Sequence, residues 1–255
     1  MPDYGIDVVS RAVQVLDALA DSDNVGLPQL SRELGISRAS AFRLLRTLAA
    51  HDMVVQHPET KRYKLGPRLI ALGHRAAEAN DVLEAATTEL EDLVARFQVV
   101  VTVNLPTHDA VIEARRLPRA VAREFIPLGA PIPFHACASG IVFLAADSQL
   151  RSRIEASPLV RFASNTPVDS DGLAERIAEV RRLGYAFARD TLEEGVTALA
   201  APIVDARGAA IATLGVAAPS GAFHDAEWSQ LGRELTGAAA RVGRSIGGPG
   251  VFPRA

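Results

Sequence analysis

Apolar residues recur at helical spacing near the start of the chain and predict three short helices. The first runs from about Asp7 to Ala20. The second begins at Leu27-Pro28, since proline suits the first turn of a helix, and ends at Gly35, where glycine adopts a left-handed conformation at little cost. Ser37 is a favourable N-cap for the third, which continues to Leu48. The last two helices, joined by a tight turn, have the layout of a helix-turn-helix.

The third helix has an apolar side and a basic side. Ala41, Leu44, Leu45 and Leu48 fall on one face, opposite Arg43 and Arg46. A helix of this kind buries its apolar side and offers its cations to the major groove of DNA. The predicted DNA contacts are Arg38, Ser40, Phe42, Arg43 and Arg46. The alternative is a surface helical hairpin whose arginines are only solvated.

A basic β-hairpin is predicted directly after this helix, over His51–Leu65. Its returning strand holds Lys61, Arg62 and Lys64, which we expect to bind phosphates beside the groove, as a wing does. From Arg32 to Arg68 eight Arg and Lys residues stand against three acidic residues, a net of +5, whereas the whole chain is −3. This basic island in an acidic protein indicates a nucleic-acid site better than the overall charge does.

The pattern after the hairpin indicates a second, larger unit. A helix follows Gly66-Pro67, a longer one follows Asn80-Asp81, and from Val99 onward β-rich runs alternate with helices. We predict a DNA-binding domain over residues 1–66, a linker helix over 67–80, an α+β domain with mostly antiparallel strands over 81–247 and a flexible tail over 248–255. The predicted strands of the second domain are Val99–Leu105, Ala110–Arg116, Val121–Ile126, Tyr185–Arg189, Val196–Val204 and Ala209–Ala217, and its later helices are Ala136–Ala146, Gly172–Leu183 and Trp228–Ile246.

The composition excludes several classes of protein. The chain has 255 residues, of which 48% are hydrophobic and 22% charged, as in ordinary globular proteins. We find neither an apolar run of membrane-spanning length nor a secretory signal pattern. The single cysteine, Cys137, suits a reducing cytoplasm, where we expect the protein. The histidines include no pair four residues apart, and we predict neither a metal nor another cofactor.

An enzyme is the main rival class, because His135, Cys137 and Ser139 lie close together in the sequence. The segment lacks the glycines two residues before and after the serine that a nucleophile elbow needs. A lone cysteine also has no resolving partner for a redox switch. We therefore predict a protein without catalytic residues, in which His135 and Ser139 cap and pack the start of a helix. A redox-sensing or hydrolytic protein that uses these three residues is the alternative.

The chain resembles the IclR family of bacterial transcription regulators over nearly its whole length. The N-terminal part matches in LSRELGISRASAFRLLRTL and YKLGPRLIALG, and the C-terminal part in GAPIPFHACASG, VRRLGYAFARD and ALAAPIVDARGAAIATLGVAAP. The resemblance implies a winged helix-turn-helix joined by a helix to a GAF-like effector domain. It also implies a homodimer or homotetramer that binds palindromic promoter DNA under the control of a small molecule, often an organic or aromatic acid.

The resemblance also implies where the effector binds. It places Gly129 and Ala130, before the helix that starts near His135, against the ligand, together with the strand positions Val196, Ala198, Gly215 and Ala217. Small residues that lead into a helix N-terminus present N–H groups to a carboxylate, and Ser139 adds a hydroxyl donor.

Family members that bind very small keto acids tend to have Cys or Ser in the places of Ala198, Gly215 and Ala217, and an acid in that of Ala188. Here all four are small and apolar. We therefore expect a cleft with a mostly apolar floor and a larger, less polar acid, or polar contacts from elsewhere, such as Arg123 or Asp190. A regulator that binds DNA constitutively, with a collapsed pocket, is the alternative.

Overall fold

Two compact units, Met1–Ala79 and Asn80–Ala255, make up the chain. They are seen in a computed structural model, which describes residues 6–20, 22, 24–118 and 126–250. In the part of the chain so described, no helix is both long and apolar enough to cross a membrane.

The first unit is a helical domain with a two-stranded sheet. Its elements are α1 (Asp7–Ala20), α2 (Leu27–Glu33), α3 (Arg38–Ala50), β1 (Val54–Gln56), β2 (Tyr63–Leu65) and α4 (Pro67–Glu78). A small core of aliphatic side chains from α1, α2, α3 and β1, closed by Tyr63 of β2, joins these five elements. Val25 pairs with Tyr63, so the segment before α2 adds a bridge to the hairpin.

The turn between α2 and α3 follows from its sequence. Gly35 has φ +60°, a left-handed conformation that glycine adopts without strain. Ser37 is the N-cap of α3, and its hydroxyl accepts a hydrogen bond from the Ser40 N–H at 3.1 Å. Both were expected, because the chemistry of helix ends is local.

The second unit is built on a six-stranded antiparallel sheet in the order β5-β4-β3-β8-β7-β6. The strands are β3 (Val100–Pro106), β4 (Val111–Leu117), β5 (Pro131–Ile132), β6 (Ala186–Arg189), β7 (Val196–Val204) and β8 (Ala210–Pro219). The helices are α5 (Asp81–Ala85), α6 (Thr87–Phe97), α7 (Ala138–Ala146), α8 (Ser148–Glu155), α9 (Ser170–Leu183) and α10 (Asp225–Ser245), with short 3₁₀ turns at Phe134–Ala136 and Ser220–Ala222. This architecture is the predicted α+β class with a winged helix-turn-helix before it.

Helices cover both faces of this sheet. Ala186 and Ala188 of β6 pack into the core formed with α7 and α9. Phe187, between them, points to the opposite face and meets the Trp228 ring of α10. Successive side chains of a strand alternate between faces, so the cavity described below lies on the α7 face.

Three elements differ from the sequence prediction. The helix expected after Asn80 breaks at Ala86, where the Arg115 guanidinium donates to the Leu83 carbonyl that residue 87 would use in a continuous helix. The helix α8 was not predicted because its apolar side consists of only Leu150 and Ile154, which are partly buried. The strand β5 was not predicted because it has two residues and begins with proline.

Two predicted segments extend beyond the described residues. Most of the strand predicted at Val121–Ile126 lies outside them, as do residues 251–255 of the predicted tail. Within the tail, the Gly248 N–H donates to the Gly243 carbonyl at 2.7 Å, and a side chain at position 248 would collide with the Val204 carbonyl.

Candidate DNA interface and effector cavity

The helix α3 exposes the basic side that its sequence predicts. Ala41, Leu45 and Leu48 are buried, whereas Arg38, Phe42, Arg43 and Arg46 are exposed and Ser40 is half-buried. The Arg43 guanidinium lies 3.5 Å from the Ser40 hydroxyl, and the Arg46 guanidinium lies over the Phe42 ring at 5.9 Å. These contacts hold two cations along one solvent-facing side of the helix.

The hairpin β1–β2 presents the three basic residues expected of a wing. Lys61, Arg62 and Lys64 are all exposed. Arg62 also has a structural contact, because its Nη1 donates to the Asn24 carbonyl at 2.9 Å. Lys61 lies at the tip with φ +55°. Lys61 and Lys64 have no side-chain hydrogen bond or ion pair within the described residues.

A cavity of about 370 Å³ lies between the sheet and the start of α7 in the second unit. We call it the effector cavity. The residues that line it are mostly apolar, but seven of them are polar. The apolar lining includes Val100, Val111, Ile126, Ile132, Phe162, Leu192, Val196, Ala198 and Ala217, and the polar residues are Thr102, Asn104, Glu113, Arg116, Ser139, Thr191 and Glu193.

Five of the eight predicted effector contacts line this cavity, namely Ser139, Val196, Ala198, Gly215 and Ala217. The last three meet because Ala198 pairs with Ala217 and Gly215 pairs with Ala200 on adjacent strands. The other three, Gly129, Ala130 and Asp190, do not line it.

The structure gives these three residues a different part in the fold. Gly129 donates its N–H to the Glu113 carbonyl, and the Ala130 N–H closes a turn onto Pro127. Asp190 has φ +54° and accepts the Gly195 N–H at 2.7 Å, which orders the turn into β7. Its carboxylate is therefore used within the fold, and Arg123 lies outside the described residues.

A β-bulge places two charged residues in the cavity. Val103 pairs with Arg115 but Asn104 pairs with Glu113, so Ala114 is an extra residue in β4. Glu113 and Arg116 therefore share a face, although residues three apart in a regular strand point to opposite faces. Both side chains are mostly buried, and the Arg116 guanidinium donates to the Glu113 carboxylate and to the Ile126 carbonyl.

Four polar side chains form a hydrogen-bonded cluster under the cavity, which we call the floor network. Its members are Thr102 and Asn104 of β3, Thr213 of β8 and Ser139 of α7, all of them buried. The Asn104 Nδ2 donates to the Thr102 Oγ1 at 2.9 Å and to the Thr213 Oγ1 at 3.4 Å. The Thr213 hydroxyl donates to the Ser139 Oγ at 2.9 Å. The cavity is mostly apolar, as expected, but its floor has a polar patch on β3 and β4 that was not expected.

Sequence reasoning missed the polar residues of β3 and β4. Thr102 and Asn104 stand two residues apart in the apolar run VVTVNLP, so their spacing already placed two polar side chains on one face of a buried strand. Glu113 and Arg116 gave no comparable signal, because only the bulge brings them to the same face.

The suspected catalytic cluster has three separate sets of partners. The His135 Nε2 lies 2.9 Å from the Val160 carbonyl, and Ser139 belongs to the floor network. The Cys137 thiol, rather than His135 or Ser139, caps α7 by accepting the Gly140 N–H at 3.3 Å. Burial raises the pKa of this thiol to about 12, so it stays protonated and a weak nucleophile at neutral pH.

Comparisons with known proteins agree with this geometry. The C-terminal domain model of the bacterial IclR transcriptional regulators matches residues 74–244, and the IclR helix-turn-helix domain model matches residues 8–58. The chain belongs to the IclR family. It is a transcription regulator with an N-terminal DNA-binding domain and a C-terminal effector-binding domain, not an enzyme.

Individual members of the IclR family resemble it from end to end. The HTH-type transcriptional regulator XynR of Escherichia coli K12 is 26% identical over 254 residues, which cover 96% of this chain and 98% of that protein. The crystal structure of an IclR regulator from Alicyclobacillus acidocaldarius has a TM-score of 0.85 at 28% identity, over 96% of this chain and all of that one. An IclR homologue from Microbacterium hydrocarbonoxydans, solved with 4-hydroxybenzoate, shares the fold with a TM-score of 0.79 at 23% identity, over 94% and 99% of the two chains.

Proposed function

We propose that this IclR regulator binds a palindromic promoter operator through α3 and the wing, and that an organic acid in the effector cavity modulates this binding. The observation that carries the proposal is the presence, in one chain, of an exposed basic recognition helix and, in a separate compact unit, a largely apolar cavity. A regulator of promoter DNA acts where the DNA is, which supports a cytoplasmic location.

In the DNA-binding unit, Arg43 is the proposed centre of the interface. It lies in the middle of the exposed side of α3, with Arg38, Ser40, Phe42 and Arg46 around it. If Arg43 makes a bidentate contact to a base, Arg43→Ala weakens operator binding by about 1–3 kcal/mol. Lys61, Arg62 and Lys64 contribute phosphate contacts that do not depend on sequence.

An operator selected by the wild-type protein from a random duplex pool provides the test. Gel-shift titrations compare the wild type, Arg43→Ala and Arg207→Ala, which removes an exposed arginine from the β7–β8 turn of the other unit. We expect a loss only for Arg43→Ala, and selected sequences with two-fold symmetry. Equal affinities of all three proteins at several salt concentrations would rule out α3 as the reading helix.

The size and walls of the effector cavity favour an aromatic or medium-sized aliphatic acid over a two- or three-carbon keto acid. About 370 Å³ is within the range of small-molecule sites. Ser139, in the first turn of α7, offers a hydroxyl where the helix N-terminus attracts an anion. An open cavity also speaks against the ligand-free alternative, which requires a collapsed pocket.

Thermal shift with a panel of acids, including benzoate, 4-hydroxybenzoate, hexanoate, pyruvate and glyoxylate, tests this assignment. The stabilisation should follow RT ln(1 + [L]/Kd). Ala198→Trp fills the cavity and should abolish the shift while DNA binding stays intact. Ala206→Trp, at an exposed turn between β7 and β8, is the matched control. Stronger binding of glyoxylate or pyruvate than of the larger acids would contradict the argument from cavity size.

Exposed apolar side chains on two helices support a homodimer or homotetramer. Val8, Val9 and Val13 of α1 and Ile70 of α4 are each more than half exposed, and α4 buries no residue. Such faces are normally covered by a partner, and a two-fold dimer would present two reading helices to a palindrome. Light scattering at micromolar concentration should give twice or four times the chain mass. A monomer mass for the wild type, or an unchanged mass for Val9→Glu with Ile70→Glu, would contradict this assembly.

A further inference from the structure

The hydroxyl groups at the two ends of the floor network, those of Thr102 and Ser139, accept hydrogen bonds within it and can still donate. The Asn104 amide uses both its N–H groups, one on Thr102 and one on Thr213, and Thr213 passes its own proton to Ser139. None of these hydrogen bonds uses the hydroxyl proton of Thr102 or that of Ser139. Within the described residues neither proton has an acceptor, although both side chains are more than nine-tenths buried and line the effector cavity. Buried hydroxyl groups are normally paired, so the cavity has two unused donors.

The two donors lie on different walls of the cavity. Ser139 belongs to the first turn of α7, and Thr102 belongs to β3 in the middle of the sheet. Ser139 is part of the proposed anion site at the helix start. Thr102 is therefore available to a different atom of the same ligand.

The surroundings of Thr102 suit an uncharged oxygen. Its cross-strand neighbour is Arg116, and the neighbour of Asn104 is Glu113, so the ion pair lies in the same two rows of the sheet. Arg116 already donates to the Glu113 carboxylate and to the Ile126 carbonyl. Among the described residues that line the cavity Arg116 is the one cation, so a second carboxylate here would share it with Glu113, whereas a hydroxyl or keto oxygen accepts from Thr102 at no such cost.

The absence of a side chain at Gly215 leaves the space that Thr102 and Asn104 of the floor network occupy. Gly215 pairs with Thr102 across β3 and β8, and a Cβ at this position would lie 2.6 Å from the Thr102 Oγ1 and 2.7 Å from the Asn104 Nδ2. Both polar side chains therefore lean over the glycine, and a ligand above this part of the floor meets their polar atoms.

We propose that Thr102, oriented by Asn104, is a specificity-determining residue that binds a neutral oxygen of the effector. This inference rests on the proposed effector cavity and narrows its ligand to an acid with a second oxygen function, a hydroxyl or a keto group, away from the carboxylate. The parent acid without that oxygen leaves the Thr102 hydroxyl buried and unpaired, and so it binds less tightly. A missing hydrogen bond of this kind lowers affinity by about 10-fold.

Matched ligand pairs test the proposal on the full-length protein. The pairs are benzoate with 3- and 4-hydroxybenzoate, phenylacetate with 4-hydroxyphenylacetate, and hexanoate with 6-hydroxyhexanoate, and 4-hydroxybenzamide and 4-hydroxybenzyl alcohol serve as uncharged compounds. Calorimetric affinities are measured for the wild type, Thr102→Val, Thr102→Ser and Thr197→Val. The last removes a buried hydroxyl from β7, outside the cavity lining. Thr102→Ser keeps the hydroxyl if the loss of the network in Thr102→Val prevents folding.

In at least one pair we expect the wild type to bind the oxygenated acid about 10-fold more tightly than its parent. Thr102→Val should reduce this ratio to near one by weakening only the oxygenated member, and Thr102→Ser and Thr197→Val should keep it. Equal binding of parent and oxygenated acids by the wild type overturns the role of Thr102 and leaves the acid class standing. If Thr102→Val weakened the binding of the parent acid and of the oxygenated acid equally, the role of Thr102 would also be overturned, because such a loss would mark a structural residue.

The remaining outcomes separate this inference from the proposed function. Binding of the uncharged hydroxy compounds without binding of any acid would support the Thr102 site and overturn the acid class. Binding of nothing in the panel, with DNA binding intact, would overturn both.

Discussion

Gly215→Ala is the substitution whose effect follows most directly from the structure. The new Cβ would lie 2.6 Å from the Thr102 Oγ1 and 2.7 Å from the Asn104 Nδ2. Both atoms must retreat by roughly 1 Å to reach an ordinary contact distance. They belong to buried side chains that hydrogen-bond each other and, through Thr213, the start of α7. Relief of the clash therefore breaks part of the floor network.

The size of the effect has two parts. Overpacking of a well-filled interior costs about 1–3 kcal/mol. Loss of one hydrogen bond of the network adds about 1 kcal/mol. The expected loss of about 2–4 kcal/mol lowers the unfolding temperature of a unit of this size by roughly 4–16 °C. The preference for an oxygenated ligand should decline as well, because Asn104 no longer orients Thr102.

Fluorescence of Trp228 offers an assay specific to the effector unit. It is the only tryptophan of the chain and is buried in α10 between Phe187 and Phe223. Gly221→Ala is the matched control, since a Cβ at that position meets nothing within 4 Å. In a double-mutant cycle, Thr102→Ala should offset part of the cost of Gly215→Ala, because it removes one of the two clashing atoms. An unfolding temperature of Gly215→Ala within about 1 °C of the control, or additive effects in the cycle, would refute the close approach.

Three further substitutions test other parts of the molecule. Because burial raises the pKa of the Cys137 thiol to about 12 from its ordinary 9.0, the folded state keeps a proton that the unfolded state releases, so the contribution of this thiol to stability should be constant below pH 8 and fall above pH 9. The stability of Cys137→Ser, followed by Trp228 fluorescence, should therefore decline less above pH 9 than that of the wild type. Lys61→Ala should weaken binding to every DNA sequence alike and reduce the salt slope of gel-shift affinities by about one unit, whereas an unchanged slope would remove it from the interface. Arg116→Met should destabilise the effector unit by about 3 kcal/mol because it removes a mostly buried cation that donates to the Glu113 carboxylate, and Glu113→Gln in the same protein should restore part of the loss.

The DNA-binding unit was largely predictable because its determinants are local. The left-handed Gly35, the N-cap Ser37 and the apolar side of α3 each depend on neighbours within one or two helical turns. The structure added contacts that cross the unit, such as that of Arg62 with the Asn24 carbonyl, 38 residues apart in the chain. Sequence periodicity contains no information about such a pair.

The effector unit was predictable as a class of fold, but the chemistry of its cavity was not. Five of the six strands of the described sheet were found because apolar alternation and turn residues mark them, and β7 spans the predicted residues Val196–Val204. The floor network joins Thr102, Asn104, Ser139 and Thr213, which come together only when β3, β8 and α7 assemble. The bulge at Ala114 is equally invisible in the sequence, although it decides which charged residues enter the cavity.

The small residues at the cavity positions show why matched positions alone misjudge the polarity of a ligand site. Gly215 and Ala217 by themselves predict an apolar floor, because serine or cysteine in their places would add polar atoms. The structure shows that the space over Gly215 is occupied by two polar side chains from the neighbouring strand. A serine at position 215 and a Thr102–Asn104 pair that leans over it are mutually exclusive, since the serine Cβ would stand where the pair now lies. Relatives with serine at the position of Gly215 should therefore lack the Thr102–Asn104 pair. The polarity of the floor is thus determined by β3 and β8 together.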